Sequence, residues 1–383
     1  MDQETIAIYQ KEYLTISMTF IYRQLEGISK KYKPIVLASK TQNIDLFPWE
    51  EIYTYQKGLF GKVESKINRT LNNKYAVLSS AQHNYYKKVL LKENVKMIHS
   101  HFGPSALEIL PIAKELNIPL LVTFHGYDAS SLLKNKVYTN QLKDLFSYAN
   151  IITVSQNMGD ELVKFGADNS QINVHYIGVP VEDFVFKKRK SIKTKTHNNE
   201  EIIFLQVSNF VEKKGHQYTI QAFKEFNKYY PNSILKLGGD GPLRNLIESM
   251  CEELDLKDNV QFLGKVVKKE VIKLMQESDV FLHHSVTSED GDQEGIPTVI
   301  MEAMASGLIV ISTYHSGIPE LVKDGKNGFL VKEKNVSEYS KKMIGVLNLD
   351  NQIGLNASEF VSKNFNLGLQ NQKLISIYEK IKR

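Results

Sequence analysis

SEDGDQEGIPTVIMEAMASGLIVISTYHSGIPELVKDGKNGFL, residues Ser288 to Leu330, is the stretch from which the rest of the chain can be read. Glu289, Asp290, Asp292 and Glu294 put four carboxylates into six residues, just ahead of a Gly-Ile-Pro turn. A short apolar helix pattern, a β-like run and a second Gly-Ile-Pro follow. Pro297 suits the first position of a helix and Gly307 its exit, so the pattern predicts a helix over about Pro297–Ser306. The amides of Thr298 and Val299 would then have no intrahelical acceptor, which makes that end an anion site. Along a continuous helix Glu302 would lie about 12 Å from Glu294, at ~1.5 Å per residue. Carboxylates that far apart do not share a proton. They can grip hydroxyls at opposite ends of a nucleotide-sugar, with the phosphates at the helix start between them. Glu302 stands among Met301, Ala303, Met304 and Ala305, an odd place for an idle charge.

Outward from this stretch the chain alternates short apolar runs with helix-period segments. The N-terminal half has strand candidates at Ile6–Tyr9, Pro34–Ala38, Val95–His99, Pro119–Phe124, Ile151–Val154 and Asn173–Ile177. A basic helical segment is expected from about Gly61 to Leu91. The C-terminal half repeats the alternation with strands at Ile202–Val207, Ser233–Leu237, Asn259–Leu263 and Val280–His283. Strands alternating with helices predict parallel sheets covered on both faces. Between the halves, residues 185–199 are polar and strongly basic and lack a core pattern; they are read as a linker between domains at 1–184 and 200–366. In open α/β sheets ligands sit beyond the carboxyl ends of strands. HSHFG, FHGYD, SNFVEKKG, GGDGP and SEDGDQEGIP each follow a strand.

The chain has 383 residues, enough for two domains. A hydrophobic content of 42% and a charged content of 24% are those of a soluble globular enzyme rather than a disordered chain. The one cysteine, Cys251, excludes a disulfide framework and fits a reducing compartment. No signal-peptide pattern opens the chain and no apolar run approaches the ~20 residues of a membrane span. A cytoplasmic protein is expected. The net charge of +5 is unevenly spread: Lys57 to Lys96 holds nine bases against two acids, interleaved with Phe60, Tyr75, Tyr85 and Tyr86. A solvated helix face has such charges, and so does a contact with the anionic inner face of a membrane.

Lys213 and Lys214 follow a strand and precede Gly215; a lysine there can neutralise a diphosphate as it leaves. Gly241, in the GGDGP turn, is a weak phosphate-loop signal. His125, at a strand end before Gly126, can hydrogen-bond a sugar hydroxyl or move a proton. His99 and His101 have poor spacing for a metal pair and are read as packing or acceptor-side residues.

Together these residues resemble the family 4 glycosyltransferases, which have the GT-B fold. The resemblance covers nearly the whole chain. Its most specific element is Glu294 to Glu302, an E-x7-E pattern containing Gly295-Ile296-Pro297, with GIPELVKDGKNGFLV downstream. SEDGDQEGIPTVIMEAMASG, HFGPSA and TFHGYD look like the bacterial exopolysaccharide and colanic-acid-type members, and TISMTFIYRQL resembles their first acceptor-side loop. The resemblance implies two Rossmann-like doubly wound α/β domains facing a central cleft. The C-terminal domain would bind a nucleotide-sugar, and the N-terminal domain would bind a glycan or lipid-linked acceptor. A last helix, about 367–383, would pack back on the N-terminal domain.

It further implies transfer with retained anomeric configuration and no required metal or other cofactor. Glu294 would touch the donor sugar, Lys214 the diphosphate, Glu302 the ribose and His125 the transferred sugar. Lys213, Gly215, Gly241, Gly295, Ile296, Pro297, Thr298 and Val299 would complete the donor side. Thr19, His101, Gly103 and Asp128 would lie on the acceptor side. Two departures stand out. Ser208-Asn209 replaces the usual Gly-Arg, so either Lys213 or another base supplies that charge or the diphosphate is bound more weakly. EYLTISMTF stands where many relatives have a glycine-rich loop.

Rival readings follow from the same residues. Asp290-Gly-Asp292 could be the Mg²⁺-binding pair of a metal-dependent transferase. Two α/β halves also suit a nucleotide-sugar epimerase or a sugar-nucleotide-binding protein without chemistry. A nucleic-acid binder would need steep salt dependence, and none is expected.

Overall fold

The computed structural model describes residues 3–15 and 18–382; Ile16 and Ser17 of the TISMTFIYRQL segment lie outside the described residues. The chain divides into two compact units, Met1–Gly178 with Leu367–Arg383, and Val179–Asn366.

In the first unit the apolar runs become strands β1 (Thr5–Tyr9), β2 (Lys33–Ala38), β3 (Ile52–Thr54), β4 (Met97–His101), β5 (Leu120–Phe124), β6 (Asn150–Thr153) and β7 (Ile172–Val174). They pair in parallel in the order β3-β2-β1-β4-β5-β6-β7. Every residue of β1, β4 and β5 is buried. Helices cover both faces, which is why these strands read as continuous apolar runs instead of alternating ones. The strand order reverses between β1 and β4, and the ends of those strands are where a doubly wound sheet holds its ligand. The helix Leu367–Ile381 lies against the helix Thr19–Ile28, and its Leu374 and Tyr378 join Ile21, Leu25 and Ile28 in one apolar cluster.

The second unit repeats the plan with β8 (Ile202–Val207), β9 (Ser233–Gly238), β10 (Val260–Gly264), β11 (Val280–His283), β12 (Ile309–Thr313) and β13 (Phe329–Val331). Their order is β10-β9-β8-β11-β12-β13, again parallel with a reversal, here between β8 and β11. Phe204, Leu235, Leu282 and Ile311, one from each of four central strands, meet in its core. No helix among the described residues is long and apolar enough to cross a membrane.

Two expectations need correction. The unit boundary falls at Gly178/Val179, and the stretch read as a linker is built into the second unit. Arg189 donates to the carbonyls of Met275, Ser278 and Ser306 at 2.6, 2.9 and 2.6 Å. Ile192 is buried in the core, and Lys195 pairs with Asp279 at 2.8 Å. Charges that looked solvated cap helix ends, where a cation satisfies orphan carbonyls and opposes the dipole. The basic helical segment is two helices, Leu59–Leu71 and Ser80–Lys92. They are separated by a turn with Asn73 in the left-handed region and by Ser79, which caps the second helix through the Gln82 amide. The helix expected over about Pro297–Ser306 runs from Thr298 to Ala305, with Pro297 and Ser306 as its caps. Pro297 has the extended backbone of a cap residue, so Glu294 sits on a loop and the continuous-helix spacing to Glu302 does not hold.

Candidate active site

In the second unit two loops leave the carboxyl ends of the adjacent strands β8 and β11. The first turns through a short 3₁₀ segment, Glu212–Lys214, into Gly215 at φ 61°, which opens the helix His216–Tyr229. A Cβ on Gly215 would lie 1.8 Å from the carbonyl oxygen of His284. Only glycine allows both the left-handed backbone and that approach. Gln206, buried near the end of β8, donates to the Lys214 carbonyl at 3.0 Å and accepts from Thr219 Oγ1 at 2.8 Å. The Lys214 backbone is therefore clamped from the sheet.

The second loop joins the first where the amide of Val286 donates to the Lys213 carbonyl at 3.0 Å. Two ion pairs follow: Lys214 Nζ to Glu294 Oε1 at 2.6 Å and Lys213 Nζ to Asp292 Oδ2 at 2.8 Å. The Lys214 and Glu294 side chains are only 16% and 11% exposed. Burial alone would raise the Glu294 pKa, but Lys214 and then Lys213 outweigh it and bring the pKa down to about 2. Glu294 is ionised across the physiological range. Lys213 is raised: burial opposes its charge, and Glu294 and Asp292 prevail.

Glu294 is also fixed from behind. Its amide donates to His315 Nε2 at 3.1 Å, and His315 Nδ1 donates to Glu333 Oε1 at 2.6 Å. The other Glu333 oxygen accepts from the Thr287 amide at 2.8 Å. Glu333 thus sets the histidine tautomer and holds both ends of the loop between Thr287 and Glu294. Beyond Glu294 the helix Thr298–Ala305 begins without a side-chain cap. Gly295, Ile296 and Pro297 are buried on the approach to it, and the first helical amides have no intrahelical acceptor. Glu302 is half-buried one turn in. This end of the helix, beside a clamped ammonium and an ionised carboxylate, offers an anion site next to groups that bind hydroxyls.

Asp290 accepts from Ser288 Oγ at 2.6 Å and from the Asp292 amide at 2.9 Å, which shapes the loop. No group of three or more His, Cys, Asp or Glu side chains able to hold a metal ion occurs among the described residues. Gly241 lies against the Phe210 backbone, where a Cβ would come within 2.7 Å of the carbonyl oxygen. The turn braces the loop after β8 through Phe210 N–H to the Asp240 carbonyl, 3.0 Å. Ser208 Oγ meets His216 Nε2 at 3.2 Å, and Arg244 is paired with Glu248. The cations of this loop are Lys213 and Lys214.

In the first unit the ends of β4 and β5 bring together His99, His101 and His125. His101 Nδ1 and His125 Nε2 share a hydrogen bond of 3.0 Å, while His99 is held by Tyr378 at 2.6 Å and Thr123 at 2.7 Å. Burial lowers the pKa of all three, that of His101 to about 3, so the cluster is neutral. His125 Nδ1 is buried and has no partner. Phe20 and Phe102 pack on the His125 ring, centroids 4.9 and 4.6 Å away. Thr19 opens the helix that carries Phe20.

Asp128 and Gly103 serve a different purpose from the one expected. Asp128 Oδ1 accepts from the amides of His125 and Gly126 at 3.0 and 3.1 Å, and Oδ2 from that of Gly103 at 2.9 Å. A Cβ on Gly103 would clash with Tyr138 Oη at 2.0 Å. Both residues hold the His125 loop instead of facing an acceptor. Asp128→Ala should cost about 3 kcal/mol in urea denaturation of the full chain, since three buried amides lose their acceptor. Asp128→Asn should recover part of this loss.

Gln206, His315 and Glu333 were missed in the sequence. Each lies apart from the motif residue it supports, and no spacing rule marks it.

The chain matches two family models, Glycosyltransferase Family 4 over residues 31–183 and Glycosyl transferases group 1 over residues 187–359. It is 32% identical over 290 residues to the putative colanic acid biosynthesis glycosyltransferase WcaL of Escherichia coli (strain K12), covering 74% of this chain and 70% of that one. It is 30% identical over 241 residues to the amylovoran biosynthesis glycosyltransferase AmsK of Erwinia amylovora, 63% of this chain and 58% of that one. Among solved structures it resembles HepE of Anabaena in complex with UDP and glucose, with a TM-score of 0.76 at 18% identity over 98% and 100% of the two chains. Two Rossmann-like α/β units are the GT-B fold, and the chain belongs to the family 4 glycosyltransferases.

Proposed function

We propose that the protein transfers a sugar from a nucleotide-diphosphate-sugar to a hydroxyl of a glycan or lipid-linked acceptor in the making of a cell-surface polysaccharide. Anomeric configuration is retained and no metal is required. The observation that carries this reading is the Lys214–Glu294 pair beside the uncapped start of the helix Thr298–Ala305. The names of WcaL and AmsK support the polysaccharide, and the UDP and glucose in HepE support the donor class.

The diphosphate is placed at the Thr298 and Val299 amides. Lys214 has three N–H donors; it keeps Glu294 on one and offers the others to the phosphate. As the bond to the sugar breaks, charge grows on the diphosphate, and the ammonium and helix start stabilise it without a metal. Asp292 is engaged by Lys213 and Asp290 by its own loop, which argues against an Asp-x-Asp metal pair. Glu294 holds a hydroxyl of the sugar, and Glu302 holds the ribose. His125, neutral and with its buried Nδ1 unpartnered, is assigned to the transferred sugar. The acceptor hydroxyl attacks the face the diphosphate leaves, and its proton passes to the departing diphosphate oxygen. No side chain is assigned as a covalent nucleophile. The enzyme works in the cytoplasm, at the anionic inner surface of the membrane, through the basic stretch Lys57–Lys96.

Thermal-shift measurements with UDP-, GDP- and ADP-sugars test the donor class, because a ligand of the native state raises apparent stability. At least one donor should raise the melting temperature, and no shift with any of them would refute the reading. Glu302→Ala should weaken that donor about 10- to 100-fold, the worth of charge-assisted hydrogen bonds to a diol. Calorimetric titration gives the ratio, and the deoxyribose analogue should lose the same factor against the wild type.

A further inference from the structure

Among the described residues, His283 is the one buried histidine in which neither ring nitrogen has a hydrogen-bond partner. It is fully buried and closes β11, where its carbonyl accepts from Ser312 Oγ at 2.6 Å. Side chains along a strand alternate between the two faces of the sheet. Val280 and Leu282 join Ile220 and Phe223 of the helix His216–Tyr229 in one core cluster, so Phe281 and His283 turn to the other face. The helix Thr298–Ala305, whose buried Ile300 and Met301 stand outside that cluster, packs on β11. The Phe281 ring stacks with the imidazole, centroids 6.2 Å apart and planes at 10°.

The charges that act on His283 are those of the donor loops. Burial first and the Lys214 ammonium second hold its pKa well below the ordinary histidine value, and Glu294 opposes them. His216 and His315 add to the lowering. The ring is therefore neutral, with one N–H to give and one lone pair to offer. His216, 2% exposed, meets Ser208 Oγ through Nε2 and leaves Nδ1 buried and unpartnered. His283, His216, Lys214 and Glu294 together supply the two to four polar partners that hold a buried water. Packing does not account for His283, because Leu or Phe would fill its place without two desolvated nitrogens. Nor can a ring with no exposed surface touch a donor molecule. Its action has to pass through groups that do.

We propose, resting on the glycosyltransferase reading above, that His283 is a positioning residue for the transfer, acting on the Lys214–Glu294 pair from within the sheet. Its N–H reaches the Glu294 carboxylate through a bound water, and its other nitrogen turns a lone pair toward the Lys214 ammonium. His315 fixes the backbone of Glu294, and His283 fixes its carboxylate. The carboxylate in turn aims the ammonium at the leaving diphosphate.

The test compares full-length wild type, His283→Leu, His283→Asn and His283→Gln by thermal melting, nucleotide-sugar titration and release of nucleoside diphosphate. Leu removes both nitrogens at nearly the same volume. His283→Leu should melt no lower than wild type and bind the nucleotide-sugar within about threefold, yet lose about tenfold in kcat, the size of coupling between neighbouring groups. Asn keeps a donor and an acceptor near the Nδ1 position and Gln keeps them near Nε2, so at least one amide should recover most of the loss. In a Glu294→Gln background, His283→Leu should cost less than about threefold more, because the ring acts through that carboxylate. A lower melting temperature for His283→Leu would make the ring a structural support and overturn the proposal. An unchanged kcat, rescue by neither amide, or an undiminished loss in the Glu294→Gln background would overturn it as well. A wild type that neither shifts with any nucleotide-sugar nor releases nucleoside diphosphate would strike the glycosyltransferase reading and this proposal with it. A wild type that does both, matched in kcat by His283→Leu, would strike the proposal alone.

Discussion

Lys214→Ala should lower turnover about 100- to 1000-fold, the range for removing one preorganised donor from a developing oxyanion, or about 3–4 kcal/mol of barrier. The size follows from the setting. Lys214 is 16% exposed, its backbone is clamped by Gln206, and its ammonium is aimed by Glu294 at 2.6 Å. Little reorganisation is left for the moment of reaction. The loss should fall on kcat more than on donor KM, because the charge on the diphosphate grows in the transition state. Lys214→Arg should recover little, since a planar guanidinium cannot keep both the Glu294 contact and the point charge of an ammonium. Steady-state kinetics on a variant with intact donor binding checks this. A kcat within threefold of wild type (well below the oxyanion range) would remove Lys214 from the chemistry.

Glu294→Gln should destabilise the second unit by about 3 kcal/mol at neutral pH and lower turnover by about tenfold or more, as Lys214 loses its aim and its counter-charge. The stability part carries a pH signature. Folding depresses the Glu294 pKa from its ordinary 4.5 to about 2. The contribution is therefore complete above about 4.5 and is lost as pH falls toward about 2. A shift of that size is worth about 3 kcal/mol. In urea denaturation at several pH values, wild type and Glu294→Gln should differ most above pH ~4.5 and converge below it. Parallel curves would show that Glu294 is not held as an ion by Lys214. His315→Ala should mimic part of the activity loss without this pH window, because His315 holds the Glu294 backbone and not its charge.

These effects were only partly legible in the sequence. Apolar runs such as Phe204–Val207 and Leu120–Phe124 announce buried parallel strands, and the special residues fall at strand ends because that is where a doubly wound sheet leaves its loops. The pairing of Lys214 with Glu294 was not legible, because the residues lie 80 positions apart and only the adjacency of β8 and β11 brings them together. The proline and glycine around Thr298–Ala305 did mark the helix, with Glu294 just outside its start, where the cap at Pro297 leaves it on a loop reached by Lys214. Charge misled twice. Arg189 looked solvated and is a helix-end cap, and Asp128 looked like a ligand group and is a loop anchor. In both cases the partners are backbone groups, which sequence does not distinguish. The two helices around Asn73 show the reverse: continuous helical composition hid a turn that Ser79 and Gln82 define locally.

In the proposed reaction a clamped lysine and a helix start stand in place of a metal at the leaving diphosphate. Release of the nucleoside diphosphate, with excess EDTA and then with added Mg²⁺, tests this most directly in wild type and Lys214→Ala. Wild type should keep its full rate in EDTA, and Lys214→Ala should stay inactive whether or not Mg²⁺ is present. Loss of wild-type activity in EDTA, or rescue of Lys214→Ala by Mg²⁺, would contradict it.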